Sequence, residues 1–166
     1  HTRFALVSWA RDVYKRQMEQ CLERGWVRSI GVSNYGNHHL EDMLNYARIM
    51  PAVNQIEINP WLQRPSLISA TIESGATPMA YSPLARGHKV RDPSLVQIAD
   101  ILGCTPAQVA IKWCIDSGAI TIPKSSNPDR IVENFHSQNI DITPVMEQLQ
   151  SMDENYVSGW DPTVEI

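Results

Sequence analysis

Basic residues are in short supply. Lys and Arg number 14 against 18 Asp and Glu, a net charge of −4 with histidine neutral. Without a basic excess there is no electrostatic footprint for a phosphate backbone, so no nucleic-acid partner is expected. Long apolar runs are also missing. The longest are strand-sized and interrupted, well short of the roughly 20 residues a bilayer-spanning helix needs. No basic start followed by an apolar core marks a signal peptide, so a cytoplasmic location and no membrane partner are expected. Cysteine is scarce and odd in number. Cys21, Cys104 and Cys114 lie far apart, which fits neither a disulfide framework nor a zinc ligand set, and reduced, mostly buried thiols are expected. His38 and His39 are neighbours, but adjacent helical residues point about 100° apart and no carboxylate-histidine spacing completes a metal site; both are expected to be solvated. No Gly-x-Gly-x-x-Gly follows a strand, which disfavours the dinucleotide binders built on that turn.

What is present is an alternation of apolar strands and amphipathic helices. Met18, Cys21 and Leu22 share a helix face that Gly25 terminates, and a strand is expected over Val27–Val32. Leu40, Met43, Leu44 and Ala47 follow the helical i, i+3, i+4, i+7 spacing, leading into a strand at Ala52–Ile58. Pro65 opens a helix to about Glu73, and Thr77–Tyr81 reads as the third strand. Ser94–Leu102 forms a helix stopped by Gly103, and Thr105 caps another that Pro106 opens. Ala119–Ile122 is the fourth strand, Asp129–His136 the helix after it, and Thr143-Pro144 starts a last helix carrying Val145, Leu149 and Met152. Such alternation predicts parallel strands joined by right-handed crossovers. No low-complexity linker divides the chain.

The segment Ile122-Pro-Lys-Ser-Ser-Asn-Pro-Asp-Arg130 ends a strand and opens a helix with cations and hydroxyls at the turn. Helix-start N–H groups and the positive end of the helix dipole attract anions, and Lys124, Ser125 and Arg130 add charge and hydrogen bonds, which is the chemistry of a phosphate cradle. Equally, Asn127 can serve only as an N-cap, with Pro128 at the first helical position and Lys124 solvated.

Four strand-end motifs, Ile30-Gly-Val-Ser-Asn-Tyr35, Val53-Asn-Gln-Ile-Glu57, Met79-Ala-Tyr-Ser-Pro-Leu84 and Ile122-Pro-Lys-Ser-Ser126, occur in the order and spacing of an aldo-keto reductase. From about Met18 to Ile166 the chain resembles the C-terminal half of that family. The resemblance implies an α/β fold, a partial (β/α)8 TIM barrel comprising the C-terminal four βα units (strands 5 to 8) with a C-terminal helix and tail. It further implies a nicotinamide cofactor, NADP(H), and a small-molecule carbonyl substrate. A complete barrel of this type takes roughly 250 residues, against 166 here.

Chemistry in such barrels gathers at the C-terminal strand ends. Ser33, Asn34 and Gln55 together can donate to and accept from a carboxamide, and the resemblance implies that they hold the nicotinamide amide; Ser33 and Asn34 could instead cap the following helix. Tyr81 matches the ring that stacks on nicotinamide, though a core aromatic is the alternative. Ser82 and Leu84 match the pyrophosphate-side loop, although Ala85–Val90 departs from the longer loop of many members, which implies a looser clamp. Lys124, Ser125 and Arg130 match the contacts to the adenosine 2′-phosphate, favouring NADPH over NADH. Glu133 and Asn134 match the adenine contacts. Trp61 and Trp160 resemble substrate-pocket aromatics, with packing onto neighbouring side chains as the alternative.

The family's catalytic Asp, Tyr, Lys and His are carried on its first four strands, and no residue here matches them. No catalytic residue is assigned, and the chain alone is expected to be an inactive fragment of a reductase. Residues 1–17 fit the family pattern poorly. Asp12–Gln17 resembles the translated end of a transposon-based sequencing adapter, so a non-native leader at 1–17 and a cofactor-binding half-domain at 18–166 are expected. The alternative function is a non-catalytic, nicotinamide-nucleotide-binding regulatory module.

Overall fold

The computed structural model describes residues 2–165, with side chains described from Val13 onward. In chain order the elements are α1 (Thr2–Glu23), β1 (Gly31–Ser33), α2 (Asn37–Met43), β2 (Val53–Glu57), α3 (Pro65–Glu73), β3 (Thr77–Tyr81), α4 (Pro93–Leu102), α5 (Pro106–Asp116), β4 (Ile120–Thr121), α6 (Pro128–His136) and α7 (Met146–Gln150). The strands form one four-stranded sheet in the order β1-β2-β3-β4, with parallel pairing of β1 with β2 and of β3 with β4. This is the α/β alternation that the sequence pattern requires.

The described residues fall into two compact units. The first comprises the chain up to Ile56, Ser66–Pro78 and the tail from Asp161; the second comprises Glu57–Pro65 and Met79–Trp160. In the first unit Leu40 and Met43 of α2 are buried one turn apart, as their spacing demands, and Ile30, Ile56, Leu67 and Ile68 are buried as well. Gly36 starts α2 because nothing larger fits: a Cβ there would collide with the carbonyl oxygen of Thr163 in the tail.

α1 runs through Gln17 into Met18 without a break, so residues 2–17 share a helix with the segment that follows. Lys15 and Glu19 lie one turn apart on it and are both buried, at 3% and 2% exposure, with Nζ and Oε1 2.9 Å apart. Lys15 also donates to the Ile49 carbonyl, while Glu19 Oε1 accepts from the amides of Arg48 (2.9 Å) and Ile49 (3.1 Å). The pair thereby ties the chain between α2 and β2 to α1.

In the second unit the helix ends obey the local chemistry of their caps. Asp92 accepts from the Ser94 and Leu95 amides at the start of α4. Gly103 adopts φ 65° at its end, a left-handed conformation that glycine takes without steric cost. Thr105 and Gln108 exchange reciprocal bonds to open α5. Leu95, Ile98, Val109, Ala110 and Cys114 are buried on the faces that their spacing predicts, each larger side chain contributing about 1.5–3 kcal/mol relative to exposure.

Several expectations need correction. The first strand is three residues, Gly31–Ser33, because only these pair with β2, in register with Val53–Gln55, while Val27 and Arg28 before it are exposed. α2 stops at Met43 and continues as turns, not to Ala47. The last helix opens with a 3-10 turn at Thr143–Val145 and only then becomes α-helical. Cys114 is buried, but Cys21 and Cys104 are half-buried. His39 is not solvated: it is buried, its Nδ1 accepts from the Gly36 amide at 2.9 Å, and its Nε2 lies 2.6 Å from the Glu165 carbonyl oxygen. Among the described residues no single helix is long and apolar enough to cross a membrane, and no group of three potential metal ligands occurs.

Candidate functional site

Two clusters of the expected site residues are resolved, one in each unit.

In the first unit Ser33 at the end of β1 stands opposite Gln55 of β2 in the parallel register. The Ser33 hydroxyl donates to the Gln55 carbonyl oxygen at 2.9 Å, and the Asn34 amide donates to the same oxygen at 2.9 Å. One carbonyl therefore gathers Ser33 and Asn34, at the end of β1, beside Gln55 in the middle of β2. Asn34 sits at φ 59°, a left-handed conformation that Asn tolerates better than most residues. Asn54, fully buried, secures this turn. Its Oδ1 accepts from the Tyr35 amide (3.3 Å), and its Nδ2 donates to the Tyr35 carbonyl oxygen (2.9 Å) and to Thr71 Oγ1 (3.3 Å). Asn54 was not among the expected site residues. The signal for it was a carboxamide inside an apolar strand, which burial forces to find partners.

In the second unit Ser82, Pro83, Leu84, Arg86, Gly87, Ile122, Pro123 and Lys124 line one cavity of about 380 Å³. The strand-end loop after β3 and the turn after β4 thus meet around a shared space that includes Ser82, Leu84 and Lys124. Tyr81, the last residue of β3, is half-buried. Among the described residues no carboxylate lies within ion-pair distance of Arg86 or Lys124. Two cations facing one cavity without counter-charge suit an anionic ligand.

The start of α6 is less open than its sequence implies. Asn127 Oδ1 accepts from the Asp129 (2.8 Å) and Arg130 (3.2 Å) amides, and Pro128 has no N–H to offer. The Ser125 hydroxyl oxygen accepts from the Asn127 amide at 3.1 Å. The N-cap reading therefore holds for the backbone, whose amides at 129 and 130 are already satisfied, and any anion here would meet the side chains of Lys124, Ser125 and Arg130. Glu133 accepts from the Thr105 hydroxyl at 2.6 Å, which ties α6 to the start of α5. Asn134 faces a different cavity, of about 450 Å³, whose lining is dominated by apolar residues including Ile111, Ile120, Ile131 and Phe135.

The two tryptophans part company. Trp61 is fully buried; its indole Nε1 donates to Asp92 Oδ2 at 3.3 Å and its carbonyl accepts from the Glu154 and Tyr156 amides. A ring without exposed surface cannot line an open pocket, so the substrate role expected for Trp61 gives way to packing. Trp160 is 68% exposed.

The aldo/keto reductase family profile matches residues 10–156. The chain belongs to the aldo/keto reductase family, an oxidoreductase class. It is 41% identical over 143 residues to aldose reductase B of Dictyostelium discoideum, covering 84% of this chain and 46% of that protein. It is 43% identical over 129 residues to a glycerol 2-dehydrogenase (NADP(+)) of Hypocrea jecorina, covering 73% and 41%. Among solved structures, aldose reductase from Giardia lamblia superposes with a TM-score of 0.79 at 36% identity, covering 85% of this chain and 50% of that one. The chain spans about half the length of these relatives. The family match begins at residue 10, upstream of Met18, where the resemblance was expected to start.

Proposed function

We propose that this chain is the NADP(H)-binding part of a reductase that interconverts small carbonyl compounds and alcohols, built from the C-terminal four βα units of a (β/α)8 barrel. The reading is supported by the family match, by the NADP(+) in the name of the Hypocrea jecorina relative, and above all by one observation: Lys124 and the Ser82–Leu84 loop line the same cavity, with no carboxylate among the described residues within ion-pair distance of Lys124.

The residues present fit the cofactor in two places. The Ser33 hydroxyl and the Asn34 backbone amide meet at the Gln55 backbone carbonyl oxygen, which sets the three residues side by side, and a carboxamide would be held there by the Asn34 and Gln55 side chains. Ser82, Leu84, Lys124, Ser125 and Arg130 suit phosphate, and the Tyr81 ring suits stacking on a flat heterocycle. The Lys124 and Arg130 cations favour the form carrying a 2′-phosphate. Glu133 and Asn134 would flank adenine, with Glu133 holding its Thr105 bond. The bound dinucleotide supplies hydride to a carbonyl carbon; the residues of this chain bind and orient it. Protonation of the carbonyl oxygen needs a positioned acid, which the resemblance assigns to strands outside this sequence, so the chain alone carries no reductase activity. A cytoplasmic setting and a small carbonyl substrate, with Trp160 beside it, complete the proposal.

Chemical-shift mapping with adenosine 2′,5′-bisphosphate tests it. The amides of Lys124, Ser125 and Arg130 are expected to move on titration, with 5′-AMP moving them less. Equal responses to the two nucleotides, or aldehyde-dependent NADPH oxidation by the chain alone, would contradict the reading.

A further inference from the structure

Within the second unit, the segment from Glu154 to Gly159 is tied to two separate loops. Toward the loop after β2, the Glu154 and Tyr156 amides both donate to the Trp61 carbonyl oxygen, at 3.1 and 2.9 Å, and the Ser158 amide donates at 3.2 Å to Oε1 of Glu57, a carboxylate only 2% exposed. Toward the loop after β3, the Tyr156 hydroxyl lies 3.0 Å from His88 Nδ1, and Lys89 Nζ donates to Glu154 Oε2 at 2.7 Å while lying 5.0 Å from the centre of the Tyr156 ring. The Arg86 guanidinium lies against Gly159, where a Cβ would come within 2.9 Å of Nη2. The loop after β3 needs such ties. Ser82 (φ 48°), Ala85 (φ 45°) and Arg86 (φ 55°) are left-handed without being glycine, a conformation that persists where surrounding structure enforces it. Bonds inside the loop, from the Ala85 amide to the Ser82 carbonyl and from the Gly87 amide to the Leu84 carbonyl, close single turns only. Those from His88 and Lys89 instead join residues 68 and 65 positions apart and anchor the loop to a segment that is itself fixed on Trp61 and Glu57. Ser82, Leu84, Arg86 and Gly87 line the cavity of about 380 Å³, so whatever fixes this loop fixes one wall of that cavity.

We infer that Glu154–Gly159 is a strap that fixes the loop after β3 along the cavity, with Tyr156 and Glu154 as positioning residues that act through His88 and Lys89 and touch no ligand themselves. When the strap lets go the cavity wall is freed, so the departure of a bound ligand follows the strap. The inference rests on the NADP(H) reading only for the ligand that probes it.

Trypsin reads the strap on the whole chain without any ligand, through the rates of cleavage after Arg86 and Lys89, which track how often the loop opens. In Tyr156→Phe/Glu154→Gln both rates rise about tenfold, the effect of losing the two side-chain ties, while the urea midpoint holds. Should the double variant lose global stability, Tyr156→Phe alone, which removes one hydroxyl and keeps the ring beneath Lys89, gives a severalfold rise. Stopped-flow dissociation of NADPH supplies a readout that a merely structural role would not move: the rate rises in the same variants by a similar factor. Cleavage at the wild-type rate in both variants overturns the strap. If NADPH departs at the wild-type rate from a variant whose loop is cut faster, the strap does not govern departure and the inference fails. If wild type binds no NADPH, it is the NADP(H) reading that fails, and the trypsin rates alone decide the strap.

Discussion

Asn54 grips both backbone polar groups of Tyr35, its Oδ1 accepting from the amide at 3.3 Å and its Nδ2 donating to the carbonyl oxygen at 2.9 Å. A fully buried carboxamide on one strand thus fixes the turn that follows the neighbouring strand, and with it Asn34 in a left-handed conformation.

Asn54→Ala strands the amide and carbonyl of Tyr35. Each buried polar group left unpaired costs about 1–3 kcal/mol, so losing both bonds should lower the unfolding free energy by about 2–6 kcal/mol and move the urea midpoint down with it. If the turn also orients a carboxamide contact, NADPH affinity should drop while adenosine 2′,5′-bisphosphate, which lacks the nicotinamide, binds as before. Parallel losses for both ligands would mean general unfolding.

Glu19 gives the stability a defined acid limb. Burial on its own raises a carboxyl pKa, but the hydrogen bond from Lys15 and the amides of Ile49 and Arg48 outweigh it, so Glu19 titrates below its ordinary value of 4.5. A depressed folded-state pKa contributes stability that is fully present above the unfolded value and lost as pH falls through the folded one. Urea midpoints should therefore be flat above about pH 5 and fall below pH 4.5, in the window between the two values. Glu19→Gln should remove that part of the slope, and Glu19→Ala should cost up to about 3–5 kcal/mol by leaving Lys15 buried without its counter-charge, its bond to the Ile49 carbonyl remaining.

Cys114 is buried with its thiol pKa pushed well up by desolvation, and its Sγ lies 3.4 Å from the Ile58 carbonyl oxygen. The thiolate is the reactive form. Alkylation of the native chain at pH 8 should label Cys21 and Cys104 and spare Cys114, whereas all three should react in urea. Native labelling of Cys114 within the same time would contradict its placement.

Trp61 should behave as a core residue. Trp61→Phe loses the hydrogen bond to Asp92, about 0.5–1.5 kcal/mol, and Trp61→Ala about 3–5 kcal/mol. In Trp61→Phe, cofactor affinity should stay within twofold of wild type.

Helices were legible wherever their ends carried their own chemistry. Thr105-Pro106, Asn127-Pro128, Gly103 and the Pro65 start all act locally, through a side chain or a φ preference that does not depend on distant contacts. The length of β1 was not legible, because Val27 reads as strand by propensity while its exposure is set by packing. The clustering of Ser33 with Gln55 could be anticipated from the motifs, whereas the grip of Asn54 on Tyr35 needs the strand register. For Trp61 the sequence left a pocket role and packing both open, and the bonds from the Glu154 and Tyr156 amides to its carbonyl show the chain folding over it, which decides for packing. His39 likewise owes its burial to a tail more than a hundred residues away.

The most direct test of the central claim is an equilibrium titration of the wild-type chain with NADPH and with NADH, followed by tryptophan fluorescence. The account predicts saturable binding of both, with NADPH tighter by about tenfold or more, the contribution of charge-assisted bonds to the 2′-phosphate. No saturable binding of NADPH, or equal affinities for the two cofactors, would contradict it.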